Sequence, residues 1–118
     1  MDIKVIKDSI GKNELEKIAS AEFGEVVKAV VDTEQELMAI GGELHSDEEV
    51  LLAEKFGSKR EYLWGINLYP KKFGGEWIEF DSMINIKPAL GNRSRGVEDV
   101  KIREKVIQVV NKLVQHDT

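Results

Sequence analysis

The stretch Trp77–Gly96, WIEFDSMINIKPALGNRSRG, decides how the rest of the chain is read. Its first half alternates apolar and polar residues. Ile78, Phe80, Ser82, Ile84 and Ile86 fall on one side of an extended chain, and Trp77, Glu79, Asp81, Met83, Asn85 and Lys87 on the other, because successive strand side chains point to opposite faces. This predicts a half-buried strand over 77–87. Pro88 lacks the N–H that a ladder needs and disfavours helix at Lys87, so the strand should stop there. The loop Gly91-Asn92-Arg93-Ser94-Arg95-Gly96 then follows, bounded by glycines.

Upstream, Glu61–Tyr69 has the same alternation and is separated from Trp77 by a turn rich in glycine and lysine. Setting Leu68 opposite Ile78 makes the apolar faces coincide, with Tyr62, Trp64, Ile66 and Leu68 beside Ile78, Phe80, Ser82 and Ile84. The same register puts Asn67 beside Glu79 and Gly65 beside Asp81. A glycine facing a carboxylate would leave open space on that surface.

A second hairpin is expected from Glu25–Asp32 and Leu37–Leu44, joined by Thr33-Glu34-Gln35-Glu36. With Asp32 opposite Leu37, Val27, Ala29 and Val31 share a face with Met38, Ile40 and Leu44. Val26, Lys28, Val30, Asp32, Ala39, Gly41, Glu43 and His45 share the other, and a slip of one residue would reverse this for one strand. Ile3–Ile6 is a short edge-strand candidate.

Three segments have helical spacing. From about Lys12 to Phe23, Leu15, Ile18, Ala19 and Phe23 recur on one side, and Gly24 stands where a left-handed terminal residue is wanted. Over 47–56, Ser46 with Glu49 reads as a capping box ahead of Val50, Leu51, Leu52, Ala53 and Phe56. From about Val100 to Val114, capped by Asp99, Ile102, Val106, Val109, Val110 and Leu113 form one stripe, and the tail Gln115–Thr118 is expected to fray. The order β-α-β-β-α-β-β-α implies an α+β fold, a largely antiparallel sheet of about four to five strands with the helices on one face.

Composition narrows the function classes. The 118 residues fit a single domain, 1–118. Cysteine is absent, which removes thiol catalysis, disulfides and cysteine-ligated zinc. No apolar window approaches the roughly 18 residues of a membrane span, and the first residues lack a signal-peptide run, so a cytoplasmic protein without a membrane partner is expected. With 22 acidic against 17 basic residues the net charge is −5, which opposes extended contact with nucleic-acid backbones.

Three groups of residues carry candidate chemistry. Asn92, Arg93, Ser94 and Arg95 bring two guanidiniums and backbone N–H groups together just before a helix, a combination that suits a phosphate or carboxylate. It is neither the P-loop nor the dinucleotide fingerprint. The plainer alternative has the arginines pairing with Glu98, Asp99 or a sheet carboxylate. The polar strand face adds Asn67, Asp81 and Asn85, which would orient the rest of a small anionic ligand, although an uncovered sheet face ordinarily carries such residues. Glu43 and His45, two apart on a strand, point the same way, and Asp81 would complete an acid–base or metal set if its strand is a neighbour. Nothing in the sequence brings Asp81 to His45, so no metal and no cofactor are expected. Trp77, on the polar face beside a glycine turn, is a candidate pocket or subunit contact.

The stretches VVKAVVD (26–32), MAIGGELHSDEE (38–49), LWGINLYP (63–70), WIEFDSMINIKP (77–88) and GNRSRGVED (91–99) resemble an uncharacterised family of short prokaryotic proteins, a domain of unknown function. The resemblance implies a prokaryotic, cytoplasmic protein and no particular activity. The family pattern would include Gly41, Gly42, Glu43, His45, Asn67, Asp81, Asn85, Asn92, Arg93 and Arg95. The leading expectation is therefore a small-anion-binding domain with Arg93 and Arg95 as its clamp. Its rivals are a hydrolase or isomerase using His45 with Glu43 or Asp81, and a structural or partner-binding domain, including a homo-oligomer, anchored through Trp77 and Tyr69.

Overall fold

The computed structural model describes residues 2–22 and 24–116. Strands β1 (Lys4–Ile6), β3 (Val27–Asp32), β4 (Leu37–Ile40), β5 (Leu63–Leu68) and β6 (Ile78–Glu79) form one antiparallel sheet, in spatial order β1-β4-β3-β5-β6. Strand β2 (Ile10–Gly11) pairs in parallel with β7 (Val114–Gln115) in a separate ribbon. Helices α1 (Lys12–Glu22), α2 (His45–Lys55) and α3 (Val100–Leu113) complete an α+β fold.

Both hairpin registers agree with the expectation: Asp32 pairs with Leu37, and Leu68 pairs with Ile78. The side-chain period of two then fixes which residues face which way. Val27, Ala29, Val31, Met38, Ile40, Trp64, Ile66 and Leu68 join Leu15, Ala19 and the α3 stripe Val106, Val109, Val110 and Leu113 in the larger core. Asp99 caps α3, its Oδ1 accepting from the N–H groups of Lys101 and Ile102, so the helix starts where a carboxylate meets two otherwise unpaired donors.

The expectation of helices on one face is overturned. Val30, Leu37, Ala39 and Leu63, on the opposite face, pack with Leu52 of α2 in a second core, so the central strands are covered on both sides. Strands β3 and β4 carry apolar residues at nearly every position, the pattern of a strand buried on both faces. On that face the polar residues Lys28, Asn67 and Glu79 lie side by side across β3, β5 and β6.

Helix α2 begins earlier than expected, at His45, and the Ser46–Glu49 capping box does not form. Its N-cap is Leu44, whose carbonyl accepts from the N–H groups of Asp47 and Glu48, and Glu49 instead pairs with Arg60 at 3.1 Å. Strand β4 stops at Ile40, so Glu43 and His45 are not strand neighbours and Leu44 is exposed rather than in the core.

The 77–87 strand is also cut short. Trp77 has helical backbone dihedrals after the turn 74–76, so alternation has not yet begun there, and its side chain is buried in the larger core rather than on a polar face. Ladder pairing ends at Glu79. Ser82 Oγ accepts from the N–H of Ile84 and starts a tight turn over Met83–Asn85. Phe80 therefore packs on the larger core and Ile84 on the second one, on opposite sides of the sheet. At the other end, Val114 and Gln115 form a strand rather than a frayed tail, and the His116 ring meets Trp77 edge-on at 5.7 Å. Phe23, Asp117 and Thr118, placed by the sequence in a helix stripe and the tail, lie outside the described residues.

Candidate functional site

Where β6 leaves β5, the edge of β5 would expose an unpaired peptide at Gly65. Asn85 supplies the missing partner. Its Oδ1 accepts from the Gly65 N–H at 2.7 Å and its Nδ2 donates to the Gly65 carbonyl at 2.9 Å, the two bonds a neighbouring strand would make. Gly65 is required here by close approach, since a Cβ at that position would stand 2.6 Å from both Cβ and Oγ of Ser82. Ser82, not Asp81, thus occupies the space above the glycine.

The same amide sets the position of the arginine loop. Asn85 Nδ2 also donates to the Arg95 carbonyl at 2.9 Å, which accepts a second bond from the Ser82 N–H at 2.9 Å. Asn92, equally buried, donates to the carbonyls of Asn85 and Gly96 and accepts from the Glu98 N–H. Glu98 in turn accepts from the N–H groups of Arg93 and Ser94, which hold its carboxyl below the usual range. Ser94 Oγ accepts from the Gly96 N–H. Asn85, Asn92 and Ser94 thus build the loop, with their polar atoms directed at its backbone.

Arg95 is carried by this frame to the mouth of a cleft of about 350 Å³. Lys28 and Asn67, cross-strand partners on β3 and β5, form one part of its wall, and His45 and Ser46 of the first α2 turn another. Asp81 completes the polar lining, its Oδ1 accepting from Arg95 Nε at 2.6 Å. The plainer alternative, in which an arginine pairs with a sheet-side carboxylate, therefore holds for Arg95. Asn67 Nδ2 donates to Glu79 Oε1 and to the Asp81 carbonyl, leaving its buried Oδ1 without a hydrogen-bond partner.

Of the residues singled out from sequence, Arg95, Asp81, Asn67 and His45 come together in this cleft. Arg93, Asn92, Ser94, Asn85 and Glu43 do not line it, and Glu43 is exposed. Lys28, which alternation places on the same polar face as Glu43 and His45, also lines the cleft. The pairing of β3 with β5 sets it beside Asn67, a neighbour that the two hairpin registers by themselves do not specify.

His45 Nε2 lies 2.8 Å from the Ile66 carbonyl oxygen. A carbonyl can only accept, so Nε2 bears the hydrogen, and in the neutral ring Nδ1 holds the lone pair. Burial lowers the His45 pKa from its ordinary value, opposed in part by the bond to Ile66, so the ring is neutral at physiological pH. Among the described residues no group of three or more His, Cys, Asp or Glu side chains is arranged to hold a metal.

A larger groove of about 470 Å³ lies near Tyr62, Trp64, Leu90 and Ile102. Its charged lining mixes Glu34 and Glu61 with Lys101 and Lys105, and Lys105 is bound to Glu36 at 2.9 Å, so no single charge preference results. The smaller cleft instead brings Lys28 and Arg95 together with Asp81.

A family model described as "Protein of unknown function (DUF5674)" matches residues 4–113. The chain belongs to this family. DUF5674 therefore takes in the sheet, all three helices and the whole arginine loop. No curated protein and no solved structure matches the chain. The function of this DUF5674 protein is unknown, and among the described residues no helix is long and apolar enough to cross a membrane.

Proposed function

We propose that the chain is a binding domain for a small anion, held in the cleft between the first turn of α2 and the Asp81–Arg95 segment. The supporting observation is the convergence of Arg95, Lys28 and His45 at one end of a helix. The first turn of α2 brings His45 and Ser46 to this cleft, and the dipole of the helix favours negative charge at that end. Arg95 supplies the planar donor face, Lys28 the second positive charge, and Asp81 orients the guanidinium by its bond to Nε. Arg93 has no part in this reading, because it lies outside the cleft.

Inorganic phosphate and acetate test the proposal by thermal shift, with NMR of the His45 ring as a second readout. An anion at 100 times its dissociation constant adds about 2.7 kcal/mol of stability. An anion beside His45 also raises the pKa of the ring. Both responses should vanish in Arg95→Gln. Equal shifts in wild type and Arg95→Gln would sink the reading.

A second reading, proton transfer by His45 in a hydrolase or isomerase, is supported by the tautomer argued above. With Nε2–H committed to Ile66, Nδ1 is the basic nitrogen of a residue that lines the cleft together with Asp81. Ring nitrogen shifts distinguish the tautomers directly. A dominant Nδ1–H form would remove this reading.

A further inference from the structure

Leu44 and Met83 both line the polar cleft, 54 % and 64 % exposed, and Ile84, packed on the second core, lines it with them. Neither exposed side chain has a packing role that accounts for it. Leu44 is the N-cap of α2, with the extended backbone of that position and no side-chain bond to the helix. Serine, threonine, aspartate or asparagine would satisfy a helix N–H there, and leucine forgoes it. Met83 begins a tight turn whose buried member is Asn85, so the methionine points outward while the turn is secured two residues on.

Both apolar groups border the cleft that holds Arg95 and Lys28. A site for inorganic phosphate alone gains nothing from apolar shoulders, whereas an anion bearing an apolar substituent removes them from water when it binds. Methionine suits the second shoulder, since its unbranched thioether adapts to differently shaped groups.

We infer that the natural ligand is an amphipathic small anion, a carboxylate or phosphate carrying an alkyl or aryl group. Its charged head lies at Arg95 and Lys28, and its apolar part lies between Leu44 and Met83. The inference rests on the anion-binding reading above and specifies the ligand class for that same site.

Two pairs of probes test it by calorimetry on the full chain: acetate against hexanoate, and inorganic phosphate against phenyl phosphate. Partial burial of the added hydrocarbon in an open cleft predicts an affinity ratio of about ten within the pair whose head group fits. The two pairs distinguish a carboxylate head from a phosphate one. In the Leu44→Ser, Met83→Ser double variant, whose changes are at exposed positions, the ratio should fall toward one. A ratio near one in wild type, or one that survives in the double variant, overturns the amphipathic inference while leaving anion binding standing. A large ratio in wild type that is unaltered by Arg95→Gln, with all affinities unchanged, overturns the anionic head. Failure of every probe to bind overturns both.

Discussion

Asn85 and Gly65 exchange two hydrogen bonds across the edge of the sheet, so that a side-chain amide takes the place of a strand just where β6 has ended. The substitution of amide for strand lets the chain turn out of the sheet without leaving a buried peptide unpaired. It also leaves one Nδ2 hydrogen for the Arg95 carbonyl, coupling sheet order to loop position.

Replacing Asn85 with alanine should therefore act in two places. The Gly65 N–H and carbonyl lose their partners in a site closed to water, which costs roughly 2–4 kcal/mol for the pair of groups. Asn85→Asp keeps the acceptor for the Gly65 N–H but loses both donated bonds, and a carboxylate then faces two carbonyl oxygens. Urea denaturation should show both variants clearly destabilised. A loss within 0.5 kcal/mol of wild type for Asn85→Ala would mean that the amide is not the edge partner described.

Gly65→Ala meets Ser82 directly, because the added methyl would lie 2.6 Å from its Cβ. Overpacking of this kind costs typically about 1–3 kcal/mol. Ser82→Gly removes both offending atoms, so the double variant Gly65→Ala, Ser82→Gly should recover part of the loss relative to the sum of the single changes. A double-mutant cycle measures this coupling, and additivity within about 0.3–0.5 kcal/mol would argue against the contact.

The contrast between these residues shows what the sequence could and could not reveal. Both hairpin registers were legible because a slip of one residue turns every apolar side chain of β3 or β5 the wrong way, and Asp99 was legible because a cap is a local bond. The end of β6 was not. The alternation through Phe80, Ser82 and Ile84 is a real pattern, but the chain crosses from one core to the other within it, and only the non-local bonds of Asn85 fix where. Asn85 and Asn92 read as ligand contacts because buried amides and exposed ones look alike in sequence. Asp32 failed in the same way: alternation placed it outward, whereas it is fully buried, with Oδ1 accepting from the N–H groups of Glu34 and Gln35 and Oδ2 from Ser58 Oγ. The covered second face was missed because Leu52 of α2 has no sequence signal that says which side of the sheet its helix will choose.

Leu44→Ser should stabilise the protein. The residue has the extended dihedrals of an N-cap and is largely exposed, so little burial is lost while one helix N–H gains a hydroxyl partner. The expected gain is roughly 0.5–1 kcal/mol, read from the denaturation midpoint. A destabilised variant would show instead that Leu44 has a packing role within the folded chain.

Two carboxyls give the stability curve opposite slopes on either side of the ordinary carboxyl value of 4.5. Glu36, held by Lys112 at 2.8 Å and Lys105 at 2.9 Å, has its pKa lowered to about 2. Its folded value lies below the unfolded one, so its contribution is complete above the ordinary carboxyl range and is lost as pH falls from about 4.5 toward 2. Glu48 behaves in the reverse sense. Burial raises its pKa well above the ordinary value, opposed by the Gly42 N–H that donates to Oε2 at 2.9 Å, while Oε1 is buried without a partner. The folded state then binds a proton that the unfolded state has released, and stability falls as pH rises above the unfolded carboxyl value until the folded group itself ionises. Glu48→Gln keeps an oxygen for the Gly42 N–H and cannot ionise. Relative to wild type it should gain stability as pH rises above the ordinary carboxyl value of 4.5, whereas Glu36→Gln should lose its disadvantage as pH is lowered from 4.5 toward about 2. Denaturation midpoints across that range separate the two, and a Glu48→Gln difference that does not change with pH would show that Glu48 titrates alike in both states.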